Sequence, residues 1–241
     1  MTQTGATPSM QVRRKRDRQI REPEALAGIL EEGLVAHVGL VRDGLPVVLP
    51  FLCAPGDLGR GPVLLLHGST GGGLFLDAGD DGVPVAATIT HLDGLVFARS
   101  TYDSSANYRS AMVFGRARPV PLEQRAKALR QVADHLMPGR RDEVRELRDR
   151  EVAATQVLQV PLDAVSVKVR AAGAGESVDD GEDHAVWAGV LPLAVLAGAP
   201  QASPLTDADA APSVGRRSAL LAERAADREA RLRAVVQGAF A

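Results

Sequence analysis

The sequence predicts a mainly β protein, an antiparallel barrel or sandwich with added helices. Three observations carry that expectation. Two Asp-Gly pairs, Asp43-Gly44 and Asp93-Gly94, each stand between β-branched and apolar runs, the pattern of a tight hairpin. Short runs with period-two patterning follow one another without the strand–helix alternation of a parallel sheet. In the body of the chain, only Leu122 to Met137 carries a clear helical stripe, formed by Leu122, Ala126, Leu129, Val132, Ala133 and Leu136 and stopped by Pro138-Gly139.

In chain order, Met1 to Met10 is small and polar and reads as a disordered start, extending to about residue 12. The basic run Arg13 to Arg18 reads as a solvated arm. Glu22 to Leu34 is a helix: Pro23 sits near its start, Leu26, Ile29 and Leu30 share a face, and Gly33 ends it. Val35 to Val41 and Pro46 to Phe51 are strands joined at Asp43-Gly44. Ala54 to Pro62 is a glycine-proline loop, and Val63 to His67 the third strand. Val83 to His91 and Leu95 to Ser100 are the fourth and fifth, with Asp93-Gly94 as their turn. Tyr102 to Tyr108 is a polar loop and Ser110 to Pro119 the sixth strand. After the central helix, the charged stretch Arg140 to Glu151 reads as a second, exposed helix. Val157 to Val160 and Ala164 to Arg170 are the last strands. Gly173 to His184 is an acidic, glycine-rich loop, and Val186 to Leu196 is again apolar. Past Pro204 the composition becomes a linker, and Ser218 to Gln237 a separate helix. The expected organisation is a β domain over 13–204 and a linker with a C-terminal helix over 205–241, the latter dispensable for any site in the body.

Composition excludes several function classes. The 241 residues are 45% hydrophobic and 24% charged, ordinary for a soluble globular protein. A net charge of −2 gives no global attraction to nucleic acid or to a membrane. Abundant Ala, Val, Leu and Arg fit a high-GC bacterial genome. The lone Cys53 excludes an intramolecular disulfide and suits a reducing cytoplasm. No apolar run reaches the ~18 residues of a membrane span, and no apolar signal core opens the chain.

The stretch VLLLHGSTGGGLFL, Val63 to Leu76, stands out. A buried strand ends at His67 and opens into Gly68, Ser69, Thr70, Gly71, Gly72 and Gly73. Successive peptide N–H groups in such a loop form a concave nest suited to phosphate, and Ser69 and Thr70 add hydroxyls. A long glycine-rich hairpin loop without a ligand fits the same residues. The loop lacks the Gly-Lys-Ser/Thr of a nucleotide-triphosphate loop and the spacing of a dinucleotide fingerprint.

Elsewhere, Thr88 and Thr90 project from one face of their strand. Arg99 lies in an otherwise apolar run, where a buried guanidinium needs an anion and an exposed one needs nothing. Ser104 to Ser110 (SSANYRS) is either a donor-rich site for phosphate or a flavin edge, or a capped turn. Lys168 and Arg170 share the polar face of a late strand. Trp187 is core, interface or ligand stack. The histidines at 37, 67, 91, 135 and 184 show no metal-binding spacing, so no metal site is expected; His67, beside the loop, is the one placed to meet a ligand. No Gly-x-Ser-x-Gly elbow and no acid–base pair is present, so the catalytic residues stay unassigned.

Together these stretches resemble the pyridoxamine 5′-phosphate oxidase-like superfamily, in the branch of flavin-nucleotide-binding proteins related to nitroimidazole-resistance proteins. The resemblance rests on VAHVGLVRDGLPVVLP (Val35 to Pro50), LLLHGSTGGG (Leu64 to Gly73), ATITHLDGLVFARS (Ala87 to Ser100), NYRSAMVFGRA (Asn107 to Ala117), HLMPGR (His135 to Arg140), SVKVR (Ser166 to Arg170) and WAGVLPL (Trp187 to Leu193). It implies an FMN-binding split β-barrel with peripheral helices and a C-terminal helical tail. It also implies a homodimer with cofactor clefts at the subunit interface, and flavin-dependent oxidoreductase chemistry on a small molecule, or else a non-catalytic flavin, haem or deazaflavin binder. The phosphate site would fall on His67, Ser69, Thr70 and Gly71 and the arginines nearby. Pro50, Thr88, Thr90, Arg99 and Ser100 would flank the flavin ring. Asn107, Tyr108, Arg109 and Ser110 match one further motif, and Lys168, Arg170 and Trp187 another. Leu74 stands where many relatives carry a lysine, so phosphate charge would be met by arginine or by N–H groups. Phe51-Leu52-Cys53 replaces a more polar, aromatic stretch.

Overall fold

The computed structural model describes residues 11–12, 14–69, 73, 78–79, 81–175 and 185–238. The expected disorder of 1–10 and most of the expected acidic loop at 173–184 fall outside them. The elements are β1 (Gln19–Ile20), α1 (Pro23–Glu32), β2 (Val35–Arg42), β3 (Leu45–Asp57), β4 (Pro62–Ser69), β5 (Val83–Phe97), β6 (Ser105–Pro119), α2 (Leu122–Leu136), α3 (Asp149–Ala154), β7 (Thr155–Pro161), β8 (Val165–Arg170), β9 (Gly189–Pro192) and α4 (Pro212–Val236), with short 3-10 turns at Arg16–Arg18 and Arg140–Glu143. The strands form one sheet in the order β1-β8-β6-β7-β4-β3-β2-β5-β9. Strand β6 also pairs with β5, so the pairing returns on itself in a ring. This is the mainly β, helix-flanked fold expected. None of the helices among the described residues is long and apolar enough to cross a membrane. The chain divides into two compact units, Met1–Thr90 with Ser110–Lys168, and His91–Arg109 with Val169–Ala241.

In the first unit the β2–β3 hairpin forms as its sequence requires. Asp43 and Gly44 take φ of 51° and 76°, the left-handed pair of a tight hairpin turn. Register runs from Arg42↔Leu45 to Val35↔Leu52. Ala36, Val38 and Leu40 point into the core, while Val35, His37 and Val41 point out. Strand β3 continues to Asp57, beyond the loop expected from Ala54, because β4 pairs with it from Leu52↔His67 to Asp57↔Pro62. Strand β4 lies between β3 and β7, and Val63 to Leu66 are all buried. Leu65 packs in one cluster with Leu58, Val157 and the Ala128, Leu129 and Val132 face of α2. Helix α1 opens at Pro23 and ends where the Gly33 N–H donates to the Ile29 carbonyl. Nε2 of His135, on α2, lies 2.8 Å from the Gly33 carbonyl oxygen and ties the two helices together.

The charged stretch expected as one helix over 140–151 is instead a 3-10 turn and the short α3, with no helix between them. Val144 and Leu147 are its only apolar side chains and both are exposed, so a helix there would have too narrow an apolar stripe to bury. Arg145 instead forms an exposed ion pair with Glu151.

In the second unit the expected turn at Asp93-Gly94 does not exist: β5 runs unbroken from Val83 to Phe97. The glycine serves a close strand approach, since a Cβ on Gly94 would sit 3.0 Å from the Leu191 carbonyl oxygen on the paired β9. The aspartate serves charge. Arg109 donates to both Asp93 carboxylate oxygens, at 2.9 and 3.0 Å. Arg228 Nε reaches Asp93 Oδ1 at 3.1 Å. All three side chains are nearly buried, at 12%, 8% and 14% exposure for Arg109, Asp93 and Arg228. Strand β6 begins at Ser105, inside the expected loop, and Asn107 is fully buried there. Helix α4 starts at Pro212, ahead of the expected Ser218, with proline in its first turn. Arg228 lies on it, so the helix is bonded to the β5 residue that also holds Arg109. The expectation that 205–241 stand apart from every motif is overturned by this shared carboxylate.

Removing one partner of a buried ion cluster leaves uncompensated charge, at a cost of ~3–5 kcal/mol. Asp93→Ala is therefore expected to lower unfolding free energy by about that much in urea titration, whereas a loss below ~1 kcal/mol, the range of exposed pairs, contradicts the cluster.

Candidate cofactor site

The first unit presents an open sheet face built by register. His37 on β2 pairs with Pro50 on β3 and with Thr88 on β5. Directly paired residues share a face, so Pro50, His37 and Thr88 form one row across three strands, on the side opposite the core. Pro50 and His37 are exposed and Thr88 half-buried. Thr90 is exposed on the same side of β5, two residues on. The adjacent row carries Val35, Leu52 and His67 through the pairs Val35↔Leu52 and Leu52↔His67. The four β-strands thus bring five residues proposed from sequence, Pro50, His67, Thr88, Thr90 and, at the end of β4, the backbone of Ser69, onto one side or its edge.

His67 is half-buried, and burial lowers its pKa below the ordinary imidazole range, so its ring is neutral at neutral pH. Thr70 and Gly71 fall outside the described residues. Gly73, the last of the glycines, is described. A Cβ there would come within 2.8 Å of Arg42 Nη2 and 3.1 Å of Nη1. The Arg42 guanidinium, at the end of β2, therefore lies close against Gly73. It supplies a cation where Leu74 leaves the side chain apolar. Sequence reasoning did not single out Arg42. Its signal was a lone arginine closing the alternating run VAHVGLVR just before the Asp-Gly turn. The return of the loop is fixed by Arg116, which donates to the carbonyls of Asp81 and Gly82 at 2.9 and 2.6 Å.

Also in the first unit, the Ser110 hydroxyl donates to the Lys168 carbonyl oxygen at 3.5 Å, and Lys168 pairs through its backbone with Gln19. These two are not on the β2–β3–β5 rows.

The remaining candidates lie in the second unit and are engaged with one another. Asn107 donates to the Ala172 carbonyl and accepts from the Ala172 N–H and from Arg170 Nη1. Its amide ties β6 to the end of β8. Arg109 commits its fork to Asp93. Ser100 accepts from the Asp103 N–H and donates to Asp103 Oδ2, while Ser104 bonds back to the Ser100 carbonyl. This capped turn lies ahead of the Ser104 to Ser110 stretch for which the sequence left a turn open; from Ser105 that stretch is strand β6. Arg99 adjoins this turn, half-buried, as is Tyr108. Trp187 is 66% exposed, with its ring tilted 57° against Phe97 at 5.8 Å.

The donor set suits binding and orientation more than acid–base or nucleophilic chemistry. Burial pushes the Cys53 thiol up to about 12, and its Sγ contacts the Gly33 carbonyl, so no thiolate is offered. No group of His, Cys, Asp and Glu among the described residues is arranged to hold a metal ion.

Comparison with known proteins places the chain in a family. Residues 22–169 match the family described as pyridoxamine 5′-phosphate oxidase. The FAD and haem binding protein from Mycobacterium smegmatis is 35% identical, with a TM-score of 0.77 over 83% of this chain and 97% of its own. The flavocytochrome Anf3 from Azotobacter vinelandii is 30% identical, with a TM-score of 0.76 over 85% and 94%. A putative 5-nitroimidazole antibiotic resistance protein from Bacteroides thetaiotaomicron shares the fold at 22% identity and a TM-score of 0.51, over 63% and 86%. No curated protein matches the chain.

The lowered His67 pKa makes stability depend on pH. The unfolded chain takes up this proton near the ordinary ~6.5, and the folded chain only at lower pH. Stability from the buried neutral ring is thus complete above that pH and declines as pH falls below it. Between pH 8 and pH 5 the melting temperature of the parent chain is expected to drop more than that of His67→Gln; equal drops would contradict a buried neutral ring.

Proposed function

Because the chain belongs to the pyridoxamine 5′-phosphate oxidase family, we propose that it binds a flavin nucleotide and acts as a flavin-dependent oxidoreductase on a small molecule. The observation that carries this reading is the pairing of an open row, Pro50–His37–Thr88, with a glycine run that has the Arg42 guanidinium laid against it. A phosphorylated ring cofactor needs both a flat, partly apolar surface and a cationic, N–H-rich turn. The residues present fit that need. Arg42 and the peptide groups from Gly68 to Gly73 would receive phosphate. Thr88 and Thr90 would offer hydroxyls to the ring edge, and Pro50 a rigid apolar wall. His67, neutral, would donate or accept one hydrogen bond. The flavin supplies the hydride or electron chemistry when bound. The chain's part is to hold the ring, exclude water from one face and set the phosphate end.

FAD is the nucleotide proposed, on the strength of the 35%-identical relative named for it. FMN, implied by the motifs, shares the ring and the first phosphate. A second reading, electron transfer with haem beside flavin and no substrate turnover, is favoured by the names of both relatives at 30% identity or more. With the Cys53 thiol held protonated, His37 or His67 on the open face would hold the haem, which would supply one-electron chemistry.

The reading includes a homodimer. Val35, Val41, Val48 and Leu52 are exposed on one side of β2 and β3 at 41–69%, an apolar surface a second copy would cover.

The purified full chain is expected to be yellow and to release FAD on denaturation, identified by mass. Turnover of the bound flavin by NAD(P)H and an acceptor supports the oxidoreductase, and a Soret band with an inert flavin supports the second reading. Arg42→Ala is expected to weaken flavin binding by ~1.5–3 kcal/mol, the range for a charge-assisted phosphate bond; an unchanged dissociation constant in fluorescence titration contradicts the role given to Arg42.

A further inference from the structure

Helix α4 carries three arginines on its covered side, and the described residues supply a paired carboxylate to one of them. Ser213, Arg217, Arg224, Arg228 and Leu232 recur at helical spacing and lie along its covered side. Arg228 is balanced by Asp93. No carboxylate among the described residues is bonded to Arg217 or Arg224. Nη2 of Arg217 and Nη1 of Arg224 are both buried and have no hydrogen-bond partner among the described residues. The helix's own carboxylates do not serve them: Glu223, Asp227 and Glu229 are exposed, and Glu229 pairs with Arg233 at 2.6 Å. Seven residues separate the two arginines, two turns along one face, within reach of long side chains. The two charges act on each other, for the Arg217 pKa is lowered by burial first and by the Arg224 charge second.

Buried N–H donors without acceptors, on two like charges, destabilise a fold unless something else occupies the site. A monocarboxylate would offset one charge. A phosphate carries close to two negative charges and accepts from two guanidinium forks at once. We propose that Arg217 and Arg224 form a binding site for a phosphate group on the covered side of α4. The group is either free phosphate or the phosphate of a nucleotide. The site does not depend on the flavin reading, since a chain that carried no flavin would still hold these two arginines.

The test uses the full chain with inorganic phosphate as probe, against sodium chloride of equal ionic strength. Phosphate is expected to raise the melting temperature of the parent chain beyond the chloride control. Calorimetric affinity is expected to weaken about tenfold or more in Arg217→Gln and in Arg224→Gln, and Arg217→Lys to retain part of it. Without phosphate, both Gln variants are expected to melt at or above the parent, because each removes a repulsion. A Gln variant that keeps the parent's phosphate shift, or that melts lower without phosphate, overturns the proposal. A second arm separates the sources. If FAD abolishes the phosphate shift, the occupant is the nucleotide's phosphate; if the shift persists in FAD-saturated protein, it is free phosphate.

Discussion

The first unit depends on the period-two register of β2 against its neighbours. With Ala36, Val38 and Leu40 committed to the core, His37 must point the other way, and pairing then carries Pro50 and Thr88 to the same side. A slip of one residue would bury His37 and expose the alanine and valine beside it. The left-handed Asp43-Gly44 turn holds that register, and it also delivers Arg42, the last residue of β2, to the glycine run after β4. The core, the open face and the position of the Arg42 cation are therefore consequences of one alternation and one turn.

The second unit is governed by charge. Asp93 is a single buried carboxylate shared by Arg109 and Arg228, and it joins a β-strand, the start of β6 and the C-terminal helix. Buried arginines are tolerated where an acceptor faces them, as here and at Asn107, which accepts from Arg170. The contrast with Arg217 and Arg224, on the same helix as Arg228, is what makes their unfilled donors informative.

Much of the fold is legible in the sequence because its devices are local. The Asp43-Gly44 hairpin, the α2 stripe with its Pro138-Gly139 stop, and the buried run of β4 each follow from neighbouring residues. Asp93-Gly94 reads identically to Asp43-Gly44 and means something else, because its aspartate answers two arginines distant in sequence and its glycine answers β9. No local rule separates the two. The same limit applies to the candidate site. Pro50, Thr88 and His67 are found by motif and then placed together by register, whereas Arg42 is visible only once Gly73 is seen against it. Arg109 looks like a phosphate ligand from its NYRS setting, and the fold gives its fork to a carboxylate instead.

The proposed flavin nucleotide sits on the open β2–β3–β5 face with its phosphate end toward Arg42 and Gly73. Hydrogen–deuterium exchange of the full chain, with and without added FAD, tests that placement directly. Protection is expected in peptides covering residues 35–52, 62–73 and 86–90. Protection absent from these peptides while FAD is demonstrably bound, or confined to 212–236, would contradict it.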